Sequence, residues 1–178
     1  MERRDRKACE KRKTAEAPAC YYSGQYVQTP FYPAPYMGRW YEISRFPQWF
    51  DEGCAAATAD YALQPDGTIS VFNRCLNCLG REVRNIRGTA APVNERCPAA
   101  LRVEFPGAPM ETPAELANYL VLGTDYESYA VVGTPGRLGL FILGRSPSMG
   151  PATYRKALEI AKTRGYDTAK LVKDYSGC

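Results

Sequence analysis

Residues 58–75 read TADYALQPDGTISVFNRC. Two runs rich in β-branched and aromatic residues flank Pro65-Asp66-Gly67. Proline presets φ and glycine permits φ > 0, so the three make a tight turn between two antiparallel strands. The same pattern recurs on both sides. Upstream, GRWYEISRF (38–46) is a first strand. Downstream, EVRNIRGTAAPV (82–93), AALRVEF (99–105), NYLVLGTDY (118–126), SYAVVGTP (128–135) and LGLFILGR (138–145) are five more, the last two turning at Pro135-Gly136-Arg137. Eight short strands joined by turns predict an all-β, eight-stranded antiparallel up-and-down barrel.

The period then changes. In PATYRKALEIAKTRG (151–165), Tyr154, Leu158 and Ala161 fall at helical spacing with Ala157 beside them, and Pro151 and Gly165 bracket the run. This predicts one C-terminal helix on the outside of the barrel, and LVKDY (171–175) is a short final strand or extended tail. Residues 20–37 hold three prolines and six aromatics and read as an extended strap. Residues 1–19 read as a flexible basic arm, leaving 38–178 as barrel and helix.

The arm carries the charge. Residues 1–13 contain seven Lys/Arg against three Asp/Glu, and the remainder balances at sixteen of each. A neutral folded part gives no nucleic-acid surface, so no nucleic-acid partner is expected. No apolar signal run follows Met1, and no stretch approaches a membrane-spanning helix.

There is no histidine, so no nucleophile–histidine pair exists, and no phosphate or dinucleotide fingerprint is present. An enzyme would have to use Glu42, a tyrosine or a cysteine inside the barrel. We expect no enzyme, no cofactor and no metal. Seven cysteines (Cys9, Cys20, Cys54, Cys75, Cys78, Cys97, Cys178) in such a chain point to disulfides and an oxidising compartment, extracellular or periplasmic. Cys75-Leu76-Asn77-Cys78 lacks the strand-to-helix setting of a redox pair and the second pair of a zinc site.

Gly38-x-Trp40, Thr124-Asp125-Tyr126 and Arg145, in that order and spacing, resemble the three signatures of the lipocalin family. GRWYEISRF, YALQPDGTISVFN, TDYESYAVV and ILGRSP place the likeness in the branch of the apolipoprotein D and bacterial outer-membrane lipocalins, over residues 36–178. The physical reading agrees. Trp40 would plug the closed end, and Arg145 would lie across its face and donate to nearby carbonyls.

Strand parity puts Glu42 on the face of Trp40, and Leu143 and Phe141 on that of Arg145. The resemblance also implies a cavity position at Phe141, and others at Tyr61, Asn73 and Tyr119. Parity adds Val71 and Val121. The expected pocket is Tyr61, Val71, Asn73, Tyr119, Val121 and Phe141, with Glu42 deeper. It suits a ligand with an apolar body and one polar end, such as a fatty acid, lysolipid or sterol. The alternative is a secreted or surface interaction module whose barrel is filled by its own side chains. The 105–116 loop and the basic arm are the candidate membrane contacts, and the chain is expected as a monomer or weak dimer. The resemblance further implies a bridge between Cys54 and Cys178. Cys20 lacks its usual family partner, which leaves Cys97 as a candidate.

Overall fold

The computed structural model describes residues 19–48, 52–109 and 112–178. The basic arm through residue 18, with Cys9, and Met110 of the long loop lie outside the described residues. The chain forms, in order, β1 (Cys20–Tyr22), β2 (Gln25–Val27), α1 (Pro33–Tyr36), β3 (Gly38–Arg45), β4 (Ala56–Leu63), β5 (Ile69–Leu76), β6 (Glu82–Pro92), β7 (Ala100–Glu104), β8 (Tyr119–Thr124), β9 (Tyr129–Gly133), β10 (Leu140–Gly144), α2 (Pro151–Thr163) and β11 (Val172–Lys173). Strands β3 to β10 pair antiparallel in sequence order, and β10 returns to pair with β3. This is a closed eight-stranded barrel with one extra strand, β11, on β3 and a C-terminal helix outside, as the strand pattern predicts.

The turn at Pro65 works as its residues dictate. Asp66 Oδ1 accepts hydrogen bonds from the Thr68 amide and hydroxyl at 2.9 and 2.6 Å. Gly67 sits at φ +85°, where an L side chain is strained. The strap is more regular than its prolines suggest. Cys20–Tyr22 and Gln25–Val27 form a small hairpin, and the prolines fall after it. There they cost no ladder hydrogen bonds.

Helix α2 packs on β8 and β9. Ala157 and Ala161 are fully buried in that seam, and Tyr154 places its hydroxyl 3.0 Å from Ser44 Oγ. The residues that face the helix are thereby identified: Ser44, and in register with it Ile142 and Val131.

Among the described residues, three disulfides staple the barrel. Cys20–Cys97 ties the hairpin to the β6–β7 connection. The bridge expected between Cys54 and Cys178 does not form: Cys54 pairs with Cys75, and Cys178 with Cys78. Strand register is the reason. Ala57 lies opposite Cys75 in the β4–β5 ladder and the Ala55 amide donates to Leu76 O, which brings Cys54 against Cys75. Cys78, in the next turn, is left to meet the tail. Closures spanning 77, 21 and 100 residues each contribute roughly 3–5 kcal/mol in the chain-entropy account.

Candidate ligand-binding cavity

The closed end is built around Trp40, which has no exposed surface. Its indole N–H donates to Tyr36 O at 2.9 Å. The Arg145 guanidinium lies 3.7 Å from its ring centroid and donates to the carbonyls of Tyr126, Arg39 and Pro35 at 2.9, 3.0 and 2.8 Å. A planar cation with five donors can do both at once; an ammonium cannot. Gly38 enters the strand at φ +93°, where an L side chain is strained. Thr124-Asp125-Tyr126 makes the adjoining β8–β9 turn. Asp125 Oδ1 accepts from the Glu127, Ser128 and Tyr129 amides, and Thr124 Oγ1 donates to Tyr129 O at 2.7 Å.

Above this plug lies a tyrosine floor. The Tyr119 hydroxyl stands 2.7 Å from that of Tyr36 and 3.1 Å from that of Tyr61. Tyr36 stacks on Tyr61 with centroids 5.7 Å apart and packs on Trp40 at 5.2 Å. Burial pushes the Tyr61 hydroxyl up to about 12 and those of Tyr36 and Tyr119 up as well, so all three hold their protons at neutral pH. Three hydroxyl protons share two contacts, which leaves one O–H for another acceptor. The space lined by Tyr36, Met37, Tyr61, Ile69, Ala90, Leu101, Val103 and Tyr119 is only about 10 Å³, the need of one water. Sequence reasoning misses Tyr36. It precedes the first barrel strand, and only its position four residues before Trp40, one helical turn away, hints that it can reach the floor.

Toward the mouth the inner face loosens. Ser44, Val131 and Ile142 face the helix, so Arg45, Val132 and Phe141, their neighbours in the same ladders, face inward. Val121 pairs with Val132 and shares their inner face, two residues closer than Tyr119 to the closed-end turn. Tyr61 pairs with Val71 on the opposite wall, and Ala59 with Asn73. Val71 and Val121 are tightly buried, whereas Asn73, Phe105, Tyr119 and Phe141 are half-buried. The structure thus places the six expected pocket residues on one continuous inner face. Asn73 Oδ1 is buried and, among the described residues, has no hydrogen-bond partner.

Glu42 serves differently. It accepts from Arg45 Nη1 at 2.9 Å, and the same nitrogen donates to Asp174 Oδ1 at 2.8 Å. The three side chains are 7–11 % exposed. Burial raises the Asp174 carboxyl above its ordinary range, opposed by its bonds to Glu42, Ala57 and Arg45. Glu42 is therefore held in an internal ion cluster. Parity missed Arg45 because β3 bulges between Glu42 and Ser44, which sets Glu42 and Arg45 on one side. No local signal in the sequence ties either to Asp174.

Residues 34–175 match the model of the lipocalin-like domain. The outer membrane lipoprotein Blc of Vibrio cholerae is 35 % identical over 139 residues, covering 77 % of this chain and 78 % of its own. Mouse apolipoprotein D is 34 % identical over 160 residues (85 % and 81 %). Temperature-induced lipocalin-1 of Arabidopsis thaliana is 38 % identical over 143 residues (78 % and 75 %). Among solved structures, lobster apocrustacyanin A1 shares the fold with a TM-score of 0.64 at 20 % identity, over 85 % of this chain and 82 % of that one. With its closed barrel, its capped Trp40 and these relatives together, the chain belongs to the lipocalin family, whose members bind small hydrophobic ligands in a barrel.

Proposed function

We propose that this protein is a non-catalytic carrier or store of one small hydrophobic ligand. The ligand lies inside the barrel, on the tyrosine floor and toward the mouth, against Val71, Asn73, Tyr119, Val121 and Phe141, with its polar end on Asn73. The observation that carries this reading is the buried Asn73 Oδ1, without a hydrogen-bond partner among the described residues, on an inner face whose charged groups, Glu42, Arg45 and Asp174, are already paired with one another. A buried carbonyl without a donor costs about 1–3 kcal/mol, which a ligand hydroxyl or protonated acid would recover. The spare tyrosine O–H offers a second polar contact lower down.

Apolar burial supplies the affinity. A chain of about 14 methylenes gains at most roughly 11 kcal/mol. Lost freedom on association takes back several kcal/mol and leaves binding near micromolar. Fatty acids, lysolipids and sterols all satisfy this chemistry. Leu79 and Leu138, 75 % and 80 % exposed, lie on the β5–β6 and β9–β10 turns. An up-and-down meander puts these turns at the same end as the 105–116 loop. That apolar rim supports loading from a lipid surface at the mouth. The three disulfides, and relatives that include an outer membrane lipoprotein, support residence in an oxidising compartment.

The nearly filled floor favours one second reading, an interaction module whose barrel needs no ligand. Organic extraction of natively purified protein followed by mass spectrometry separates the two. The carrier reading expects about one lipid-class molecule per chain, as for a single pocket. Extracts without such a molecule, from protein that also takes up no fatty-acid probe, favour the module.

A further inference from the structure

The barrel wall is not closed by its eight strands alone. Strands β3 and β4 pair directly only between Gly38–Tyr41 and Thr58–Tyr61. Toward the mouth the C-terminal tail comes between them. On one side Val172 pairs with Arg45 and Lys173 with Ser44, and the Asp174 amide donates to Ile43 O at 3.2 Å. On the other, the Tyr175 amide donates to Ala55 O at 2.7 Å, and the Ala57 amide donates to Asp174 Oδ2 at 3.1 Å. The tail from Val172 to Tyr175 thus substitutes for a missing stretch of β3–β4 ladder.

Two devices hold the tail. Inside, Asp174 is clasped by Arg45. Outside, Cys178 is bridged to Cys78. The outer device differs from the other two bridges. Cys78 and Cys178 are both exposed, whereas of the other four Cys54 is half-buried and Cys20, Cys75 and Cys97 are 4 %, 8 % and 9 % exposed, so this is, among the described residues, the one bridge with both sulfur-bearing residues at the surface. Thiol–disulfide exchange needs a thiolate to reach a sulfur. A reductant therefore meets the tail's bridge before the others.

We propose that the C-terminal segment 171–178 is a thiol-sensitive gate. Its strand closes the wall between β3 and β4, and reduction of Cys78–Cys178 lets it lift and opens a lateral route into the cavity. The reductant is a dithiol, small or protein-borne. Its thiolate attacks one sulfur of the bridge, a mixed disulfide forms, and the other cysteine leaves as a thiolate that takes a proton from water. The second thiol of the reductant attacks the mixed disulfide, closes its own disulfide and releases the remaining cysteine. The dithiol loses two electrons and the bridge gains them. The cargo of this gate rests on the carrier reading; its movement does not.

The test uses the full chain in two forms: wild type, and the double variant Cys78→Ser, Cys178→Ser, which keeps the other two bridges. Amide hydrogen exchange at Ala57, Asp174 and Tyr175 is expected to accelerate at least about tenfold in the variant, with β9 protection unchanged, the signature of a local opening. Release of a preloaded fluorescent fatty acid is expected to accelerate by about the same factor, since affinity differences reside mostly in the off-rate. Limiting dithiothreitol with iodoacetamide is expected to label Cys78 and Cys178 first. Unchanged exchange at the three amides overturns the gate. So does equal loss of protection in β9, which would make the bridge a global staple, and so does earlier labelling of another pair. If wild type retains no probe, the carrier reading fails, and exchange and labelling alone decide the gate.

Discussion

Phe141 is the residue on which the proposed pocket turns. It faces inward because its neighbour Ile142 faces α2 across from Ser44, and it is only half-buried. Phe141→Arg sets a second guanidinium beside Arg45, its ladder partner, whose carboxylates are already engaged; the added charge is left unpaired, where it costs several kcal/mol or draws in water. We expect affinity for a fluorescent fatty acid to fall at least tenfold, about 1.4 kcal/mol. Ala152→Arg, at an exposed position on α2 outside the barrel, is the matched control and should bind within about threefold, a difference of under about 1 kcal/mol. Equal losses in both variants contradict the inner-face assignment. The tyrosine floor makes a second residue-scale prediction. Burial moves the Tyr61 hydroxyl from its ordinary 10.0 up to about 12 when folded. Below 10 the folded and unfolded chains are equally protonated and the fold loses nothing. Between 10 and 12 only the unfolded chain gives up the proton, so stability falls as pH rises, by about 1.4 kcal/mol for each pH step of one. Denaturant midpoints measured from neutral to alkaline pH should decline across that window, and less steeply in Tyr61→Phe. A flat wild-type profile contradicts the buried floor.

At the scale of elements, the seam between α2 and β9 depends on small side chains. Ala157 and Ala161 are fully buried there, so the helix lies close to the sheet. Ala161→Leu should overpack the seam and destabilise by about 1–3 kcal/mol, read as a lower denaturation midpoint with fatty-acid binding retained. No change in midpoint would mean that the helix is loosely seated. Elements were also what the sequence showed best. The Pro65-Asp66-Gly67 turn, the Trp40 and Arg145 plug and the Tyr154-to-Ala161 stripe are local patterns, and local patterns survive into structure. The bulge in β3 is not local. It needs β10 and α2 in place before Ser44 turns outward, so alternation alone does not show that Arg45 joins Glu42 on the inner side.

At the scale of the whole molecule, the features hidden in the sequence are those made by distant segments. Cys178 meets Cys78, and Asp174 meets Arg45, only because the tail runs back along the wall between β3 and β4. The resemblance implied a bridge from the tail, and the register of β4 on β5 changed its partner. The inner face was legible because parity and family likeness agree at Phe141, and parity extends the likeness from Asn73 to Val71 and from Tyr119 to Val121. The narrowness of the floor was not, because Tyr36 enters from outside the barrel strands. A floor that holds little more than a water, half-buried Asn73, Tyr119 and Phe141 on the inner face above it and an orphan amide support one proposal together: the barrel takes one apolar molecule, from the mouth down to the tyrosines. Equilibrium titration of delipidated protein with a fluorescent fatty acid tests it most directly. Saturation at one probe per chain with a dissociation constant near or below about 10 μM, displaceable by unlabelled fatty acid, is the predicted result; a signal that never saturates, or that unlabelled fatty acid leaves unchanged, contradicts it.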